Sequence, residues 1–149
     1  RWCVILLDST AEPDGVGGGA LSDEQLCYLD EMAAEHPDHF ILIALHHPPV
    51  KVGSRWQDNI MLANAEAFWA QVASYKNLKL VLCGHLHQAH HILQDGVSIL
   101  VTPATAPQFA VGTDAPLLES DGLLSLPGYR IIDLFDDGRI ETIVKRVPL

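Results

Sequence analysis

Short apolar runs alternate with amphipathic stretches along the first half of the chain, and that alternation sets the expected order of elements. Trp2–Asp8 is an apolar run ending in Asp-Ser-Thr, the pattern of a buried strand. A Pro/Gly-rich loop follows from Glu12 to Ala20. Ser22-Asp23-Glu24-Gln25 has the spacing of a capping box, in which Ser22 and Gln25 each satisfy a free backbone donor. The helix it opens is expected to run to about Glu35, with Leu26, Leu29, Met32 and Ala33 on one face and Pro37 as its stop. His39–Leu45 reads as a second buried strand, and His46 to Asp58 as a long loop of the kind that compact domains often use for function. Met61, Ala65, Phe68 and Val72 share one stripe, which predicts a second helix over about Asn59–Ser74. Leu78–Cys83 is the third buried strand.

Beyond Cys83 the pattern changes. Ala89–Leu93 and Val97–Val101 flank Asp95-Gly96 and read as a hairpin with a tight turn. Tyr129–Phe135 and Arg139–Val144 flank Asp137-Gly138 and read as another. Pro103–Pro127, between them, is irregular. The order β-α-β-α-β followed by antiparallel hairpins predicts a layered α/β sandwich with a parallel core and an antiparallel extension. No internal repeat, low-complexity tract or inter-domain linker interrupts it.

At 149 residues with 48% hydrophobic and 19% charged side chains, the chain has the length and composition of one globular domain. No apolar run approaches the roughly 20 residues of a membrane-spanning helix, so no membrane partner is expected. The net charge of −10 comes without a basic patch, which argues against nucleic acid as a partner. Cys3, Cys27 and Cys83 are odd in number and widely spaced. Cys3 and Cys83 fall in apolar runs and read as buried free thiols, in keeping with a cytoplasmic location. The chain opens at Arg1 in what is already a strand, which reads as the C-terminal part of a longer protein.

Chemistry concentrates where strands hand over to loops. His46 lies in Leu45-His46-His47-Pro48-Pro49, and His85 and His87 in Gly84-His85-Leu86-His87. Ligands of α/β sheets collect at the carboxyl ends of the strands, so these rings are expected at one sheet edge. Two histidines at i and i+2 on extended backbone would share a face. Neutral imidazole is the commonest side-chain ligand for transition metals, and the pattern points to metal-dependent hydrolysis. Other polar features read more plainly. His90 and His91 lie on opposite faces of a hairpin strand, His36 and His39 are solvated, and Asp8 bonds the backbone of Ser9 and Thr10. The Gly17–Gly19 run is a flexible loop, without the lysine of a P-loop or the spacing of a dinucleotide fingerprint.

Together these segments resemble the calcineurin-like metallophosphoesterases, and within them the class III cyclic-nucleotide phosphodiesterase branch. The resemblance is carried by Leu7-Asp8-Ser9-Thr10, Gly19-Ala20-Leu21 with Gln25-Leu26, Ala44-Leu45-His46-His47-Pro48-Pro49 and Gly53-Ser54 with Trp56 and Asp58. It continues through Leu82-Cys83-Gly84-His85, Thr102-Pro103-Ala104-Thr105 with Gln108-Phe109, and Pro127-Gly128-Tyr129-Arg130. It implies a two-metal phosphodiesterase acting on a small phosphodiester such as a cyclic nucleotide (cAMP, for example). In such enzymes the paired ions clamp the phosphoryl oxygens and activate a water. On this resemblance His46 and His85 share one metal, His87 binds the other, and iron, manganese or zinc serves. His47 supports the ligands or faces substrate, and Ser54, Trp56 and Asp58 either shape the substrate pocket or pack their own loop.

The family's N-terminal half carries Asp-x-His, Gly-Asp and Gly-Asn-His-Asp motifs, and none occurs here. Asp14-Gly15 and Asp95-Gly96 read as turns. The resemblance therefore implies residues 1–149 as the C-terminal part of a metallophosphoesterase domain, inactive alone and with partial or no metal occupancy. Such a chain would expose sheet edge and self-associate or pair with the missing half. Two alternatives remain open: a stand-alone hydrolase with one metal on the three histidines, and a non-catalytic half-domain that acts in assembly or binding.

Overall fold

The computed structural model describes residues 1–148. Strand β1 (Trp2–Leu6), helix α1 (Asp23–Glu35), strand β2 (Phe40–Leu45), short helix α2 (Arg55–Asp58), helix α3 (Ala65–Val72) and strand β3 (Leu78–Cys83) form the alternating part. Strands β4 (His90–Gln94), β5 (Val97–Val101), β6 (Gly128–Leu134) and β7 (Ile140–Arg146) complete it. The main sheet has five strands in the order β1-β2-β3-β5-β4, while β6 and β7 form a separate two-stranded sheet. Strands β1, β2, β3 and β5 run parallel, and β4 closes one edge antiparallel to β5. The α/β class and the element order match expectation. The first hairpin differs in its role: its second strand, β5, extends the parallel core.

Strand residues alternate between two apolar faces, which fixes the layers. Ile5, Ile41, Ile43, Val81, Ile99 and Val101 pack with Leu29 of α1 and with Phe68 and Val72 of α3. Leu42, Leu80 and Leu100 point the other way, against Trp2 and against Ile132, Leu134 and Ile140 of the β6–β7 hairpin. Arg130 fastens that hairpin to the main sheet by donating to the carbonyls of His90 and Val101 at 3.1 and 3.0 Å. The hairpin leaves a strip along β1 uncovered. Val4 and Leu6 of edge strand β1 remain 53% and 69% exposed. Cys3 and Cys83 are buried free thiols, and no helix among the described residues is long and apolar enough to cross a membrane.

Two expected elements change. The predicted helix over Asn59–Ser74 shrinks to α3, because tertiary hydrogen bonds claim the backbone before it. Leu62 N donates to the Pro48 carbonyl, Ala63 N to the Gly19 carbonyl, and Asn64 clasps both backbone groups of Leu21. The stripe of Met61, Ala65, Phe68 and Val72 still packs into the core. The capping box is only half made. Ser22 Oγ accepts from Gln25 N, but the Gln25 side chain reaches across to accept from Asp8 N at 2.8 Å, fixing the end of β1.

Candidate metal centre

The carboxyl ends of β2 and β3 deliver the histidines to one edge, as the parallel topology requires. His46 Nε2 and His85 Nδ1 lie 2.9 Å apart. Nitrogens of His46, His47 and His85 all fall within 4.8 Å of one another, in a group that contains no carboxylate. The His47 ring packs against both neighbours, with centroids 5.0 Å from His46 and 4.6 Å from His85.

The Gly84–Gln88 segment departs from the extended backbone expected of it. His85 and His87 take φ of 71° and 53°, the left-handed region that costs a non-glycine residue about 1–2 kcal/mol. Between them Leu86 turns into the core, 1% exposed. The turn is held from several sides. Buried Gln57 of α2 donates to the Leu86 carbonyl at 2.9 Å. Gln88 Nε2 donates to the carbonyls of Phe109 and Ala110. Strain of this kind, over-determined by its surroundings, gathers at functional sites.

The donor set suits a metal ion. His85 Nε2 is buried and makes no hydrogen bond of good geometry among the described residues, although the Ile60 backbone lies near the ring, an arrangement that costs free energy unless something binds there. Burial, then the neighbouring His47, His46 and His87, pushes His85 down to about 4, with the Ile60 backbone acting weakly the other way. Burial first, and His47 and His87 after it, also lowers His46. Both shifts favour the neutral ring, the form that ligates metal. His87 lies apart from this group. Its Nδ1 donates to the Pro107 carbonyl at 2.8 Å, which fixes the tautomer and leaves Nε2 free.

The remaining candidates separate by what they touch. Ser54 is fully buried and donates to the Thr113 carbonyl at 2.6 Å. Asp58 accepts from Val52 N at 2.7 Å, inside its own loop. Trp56 donates to Thr113 Oγ1 and meets Phe109 edge-on at 4.9 Å, while Phe109 lies 5.4 Å from the His87 ring. An aromatic wall therefore runs from Trp56 to His87. A hollow of about 120 Å³ borders His87, lined by Phe109, Val111, Leu124, Glu119 and Arg146 among others. A larger cavity of about 550 Å³ contains no histidine and lies across the Gly18-Gly19 loop from the cluster. Asp8 is exposed and accepts from Thr10 N and Thr10 Oγ1. His90 is partly buried and His91 exposed, on opposite sides of β4. The Gly17–Gly19 run, expected to be flexible, is packed against His47. Gly17 O accepts from the His47 ring, and a Cβ on Gly19 would sit 2.6 Å from His47 Cε1. A glycine run beside a histidine-bearing loop was the available signal, masked by its resemblance to a plain linker.

The parallel sheet that carries the imidazole cluster at its carboxyl edge recurs in solved structures that share this fold. A dimetal phosphatase from Danio rerio superposes with a TM-score of 0.53 at 16% identity, over 86% of this chain and 39% of that one. GAP50 of Plasmodium superposes with a TM-score of 0.65 at 13% identity, over 97% of this chain and 45% of that one. No family model matches the chain. At the level of sequence, the chain is 39% identical over 147 residues to the 3',5'-cyclic adenosine monophosphate phosphodiesterase CpdA of Vibrio vulnificus, covering 99% of this chain and 52% of that protein. It is 35% identical to the Escherichia coli enzyme of the same name, over 99% and 51%, and 37% identical to a 3',5'-cyclic-nucleotide phosphodiesterase of Nostoc, over 99% and 53%. The resemblance to calcineurin-like metallophosphoesterases of the cyclic-nucleotide phosphodiesterase branch thus extends along the whole chain, which spans about half the length of these relatives.

Proposed function

We propose that the whole protein hydrolyses a small phosphodiester, with a cyclic nucleotide such as cAMP as the first candidate. In this reading His46 and His85 hold one metal ion and His87 helps hold a second, of iron, manganese or zinc. The observation that carries it is the buried, unpartnered Nε2 of His85, on a ring kept neutral beside His46. Metal ions held there would supply Lewis-acid polarisation of a phosphoryl oxygen and a more acidic water. The chain's own residues contribute orientation. Pro107 fixes the His87 tautomer, and Gln57 and Gln88 hold the strained turn. The hollow beside His87 offers apolar surface to the organic part of the substrate, with Trp56 extending its wall. Ser54 and Asp58 shape that pocket only indirectly, through the loop they pin.

Three imidazoles without a carboxylate are an incomplete donor set for two metals. The coverage of about half of each relative supports residues 1–149 as part of a longer domain, its C-terminal part on the resemblance above, with further ligands supplied from elsewhere in the whole protein. The test is metal-supplemented hydrolysis of cAMP and of glycerophosphodiesters by the whole protein, with metal counted per chain. We expect two metals and chelator-sensitive diesterase activity. One tightly bound metal with full activity in residues 1–149 alone would favour a mononuclear site instead, and no metal at all would sink the reading.

The Val4–Leu6 strip and the open edge of β1 favour a covering partner, either the rest of the protein or a second copy. Residues 1–149 alone are expected to associate with rising concentration in sedimentation velocity, and Leu6→Lys to shift them towards monomer. A monomer at all concentrations would count against this.

A further inference from the structure

His47 is 5% exposed, and both of its ring nitrogens are occupied by protein atoms. The Gly17 carbonyl, 3.1 Å from Nε2, can only accept, so Nε2 carries the proton. In the neutral ring Nδ1 then accepts, from the hydroxyl of Ser9 at 2.9 Å. The same Ser9 oxygen receives His47 N–H at 3.2 Å. Ser9 is itself 1% exposed, near the start of the loop that leaves β1. A neutral imidazole in this arrangement has no lone pair left for a metal, although its nitrogens lie within 4.8 Å of those of His46 and His85. Its ring packs against both other imidazoles, with centroids 5.0 Å from His46 and 4.6 Å from His85. His46 stands edge-on to it at an interplanar angle of 88°, and His85 leans on it at 55°.

We propose that His47 is a positioning residue, locked by Ser9 and Gly17 into one tautomer, and that its ring is the wall against which His46 and His85 are aimed at the metal. The assignment rests on the metal reading above. It makes the Ser9-to-Gly19 loop, far in sequence from any ligand, a determinant of metal affinity. Residues that orient ligands in this way typically change metal affinity by roughly 10–100-fold when they are replaced.

Ser9→Ala and Ser9→Thr test it in the whole protein, using Zn²⁺ titration calorimetry and nitrogen-edited NMR of the histidine rings. The unsubstituted protein should show His47 as the Nε2–H tautomer with and without Zn²⁺, its ring nitrogens unshifted by coordination. Ser9→Ala should mix the His47 tautomers, move the His85 ring resonances and weaken Zn²⁺ binding by roughly 10–100-fold. Ser9→Thr, which keeps the hydroxyl, should restore the single tautomer and most of the affinity. A general loss of packing would show equally in both variants and in the melting temperature. A Zn²⁺ shift on a His47 nitrogen, or unchanged affinity in Ser9→Ala, overturns the proposal. If the unsubstituted protein binds no Zn²⁺, the metal reading fails. The His85 resonances in Ser9→Ala still decide whether the wall orients that ring, and no change in them would overturn the proposal separately.

Discussion

His85→Ala in the whole protein is expected to remove the metal shared with His46 and to lower phosphodiesterase activity by about a thousandfold or more, on the order of 4 kcal/mol of transition-state stabilisation. The expected effect on metal-free stability is opposite in character. The wild-type ring keeps a buried nitrogen unpaired on a residue at φ 71°. Removing the ring deletes the unpaired group, and His85→Gly also relieves the left-handed backbone. His85→Gly should therefore leave metal-free stability unchanged or raise it by up to about 1 kcal/mol in urea denaturation, while abolishing metal binding. A residue whose left-handed backbone and unpaired nitrogen both cost stability is kept for a ligand. Full metal content in His85→Ala would remove His85 from the site. A loss of several kcal/mol in His85→Gly would show that the ring is packing material.

How much of this was legible in the sequence depends on whether a feature is local. The strands ending at Leu45 and Cys83 are short apolar runs, and a parallel sheet buried on both faces demands such runs. Their carboxyl ends then fix where His46 and His85 emerge. The features that escaped prediction are all tertiary. Nothing in Asn59–Asn64 disfavours helix until Pro48 and Gly19 compete for its backbone and Leu21 takes the Asn64 side chain. The i, i+2 spacing of His85 and His87 reads as extended, and only burial of Leu86 with the grip of Gln57 and Pro107 makes a left-handed turn tolerable there. The Trp56–Phe109–His87 wall joins loops far apart in the chain. Their contact depends on the course of the irregular 103–127 segment, which has no periodicity to read.

The glycine run gives the sharpest test of such tertiary demands, because adjacent positions should behave differently. A Cβ on Gly19 would overlap the Ser9 carbonyl oxygen and stand 2.6 Å from His47 Cε1 and 3.0 Å from His47 Nδ1. Neither neighbour can retreat. The Ser9 oxygen is backbone, and His47 is buried and held at both ring nitrogens. A Cβ on Gly18 also meets an obstacle, but this is the exposed carboxylate of Asp14, the free end of a side chain that can rotate into solvent. Asp14 would then release the N–H groups of Val16 and Gly18, both exposed to water. Gly19→Ala is accordingly expected to cost about 3 kcal/mol, at the upper end for overpacking, and to lower Zn²⁺ affinity at least as much as Ser9→Ala does. Gly18→Ala should cost below about 1 kcal/mol and leave Zn²⁺ affinity unchanged. Paired urea denaturation and Zn²⁺ calorimetry decide. Equal effects at the two positions would mean that the loop merely dislikes side chains. A loss confined to Gly19 would show that the space belongs to the Ser9 carbonyl and the His47 ring.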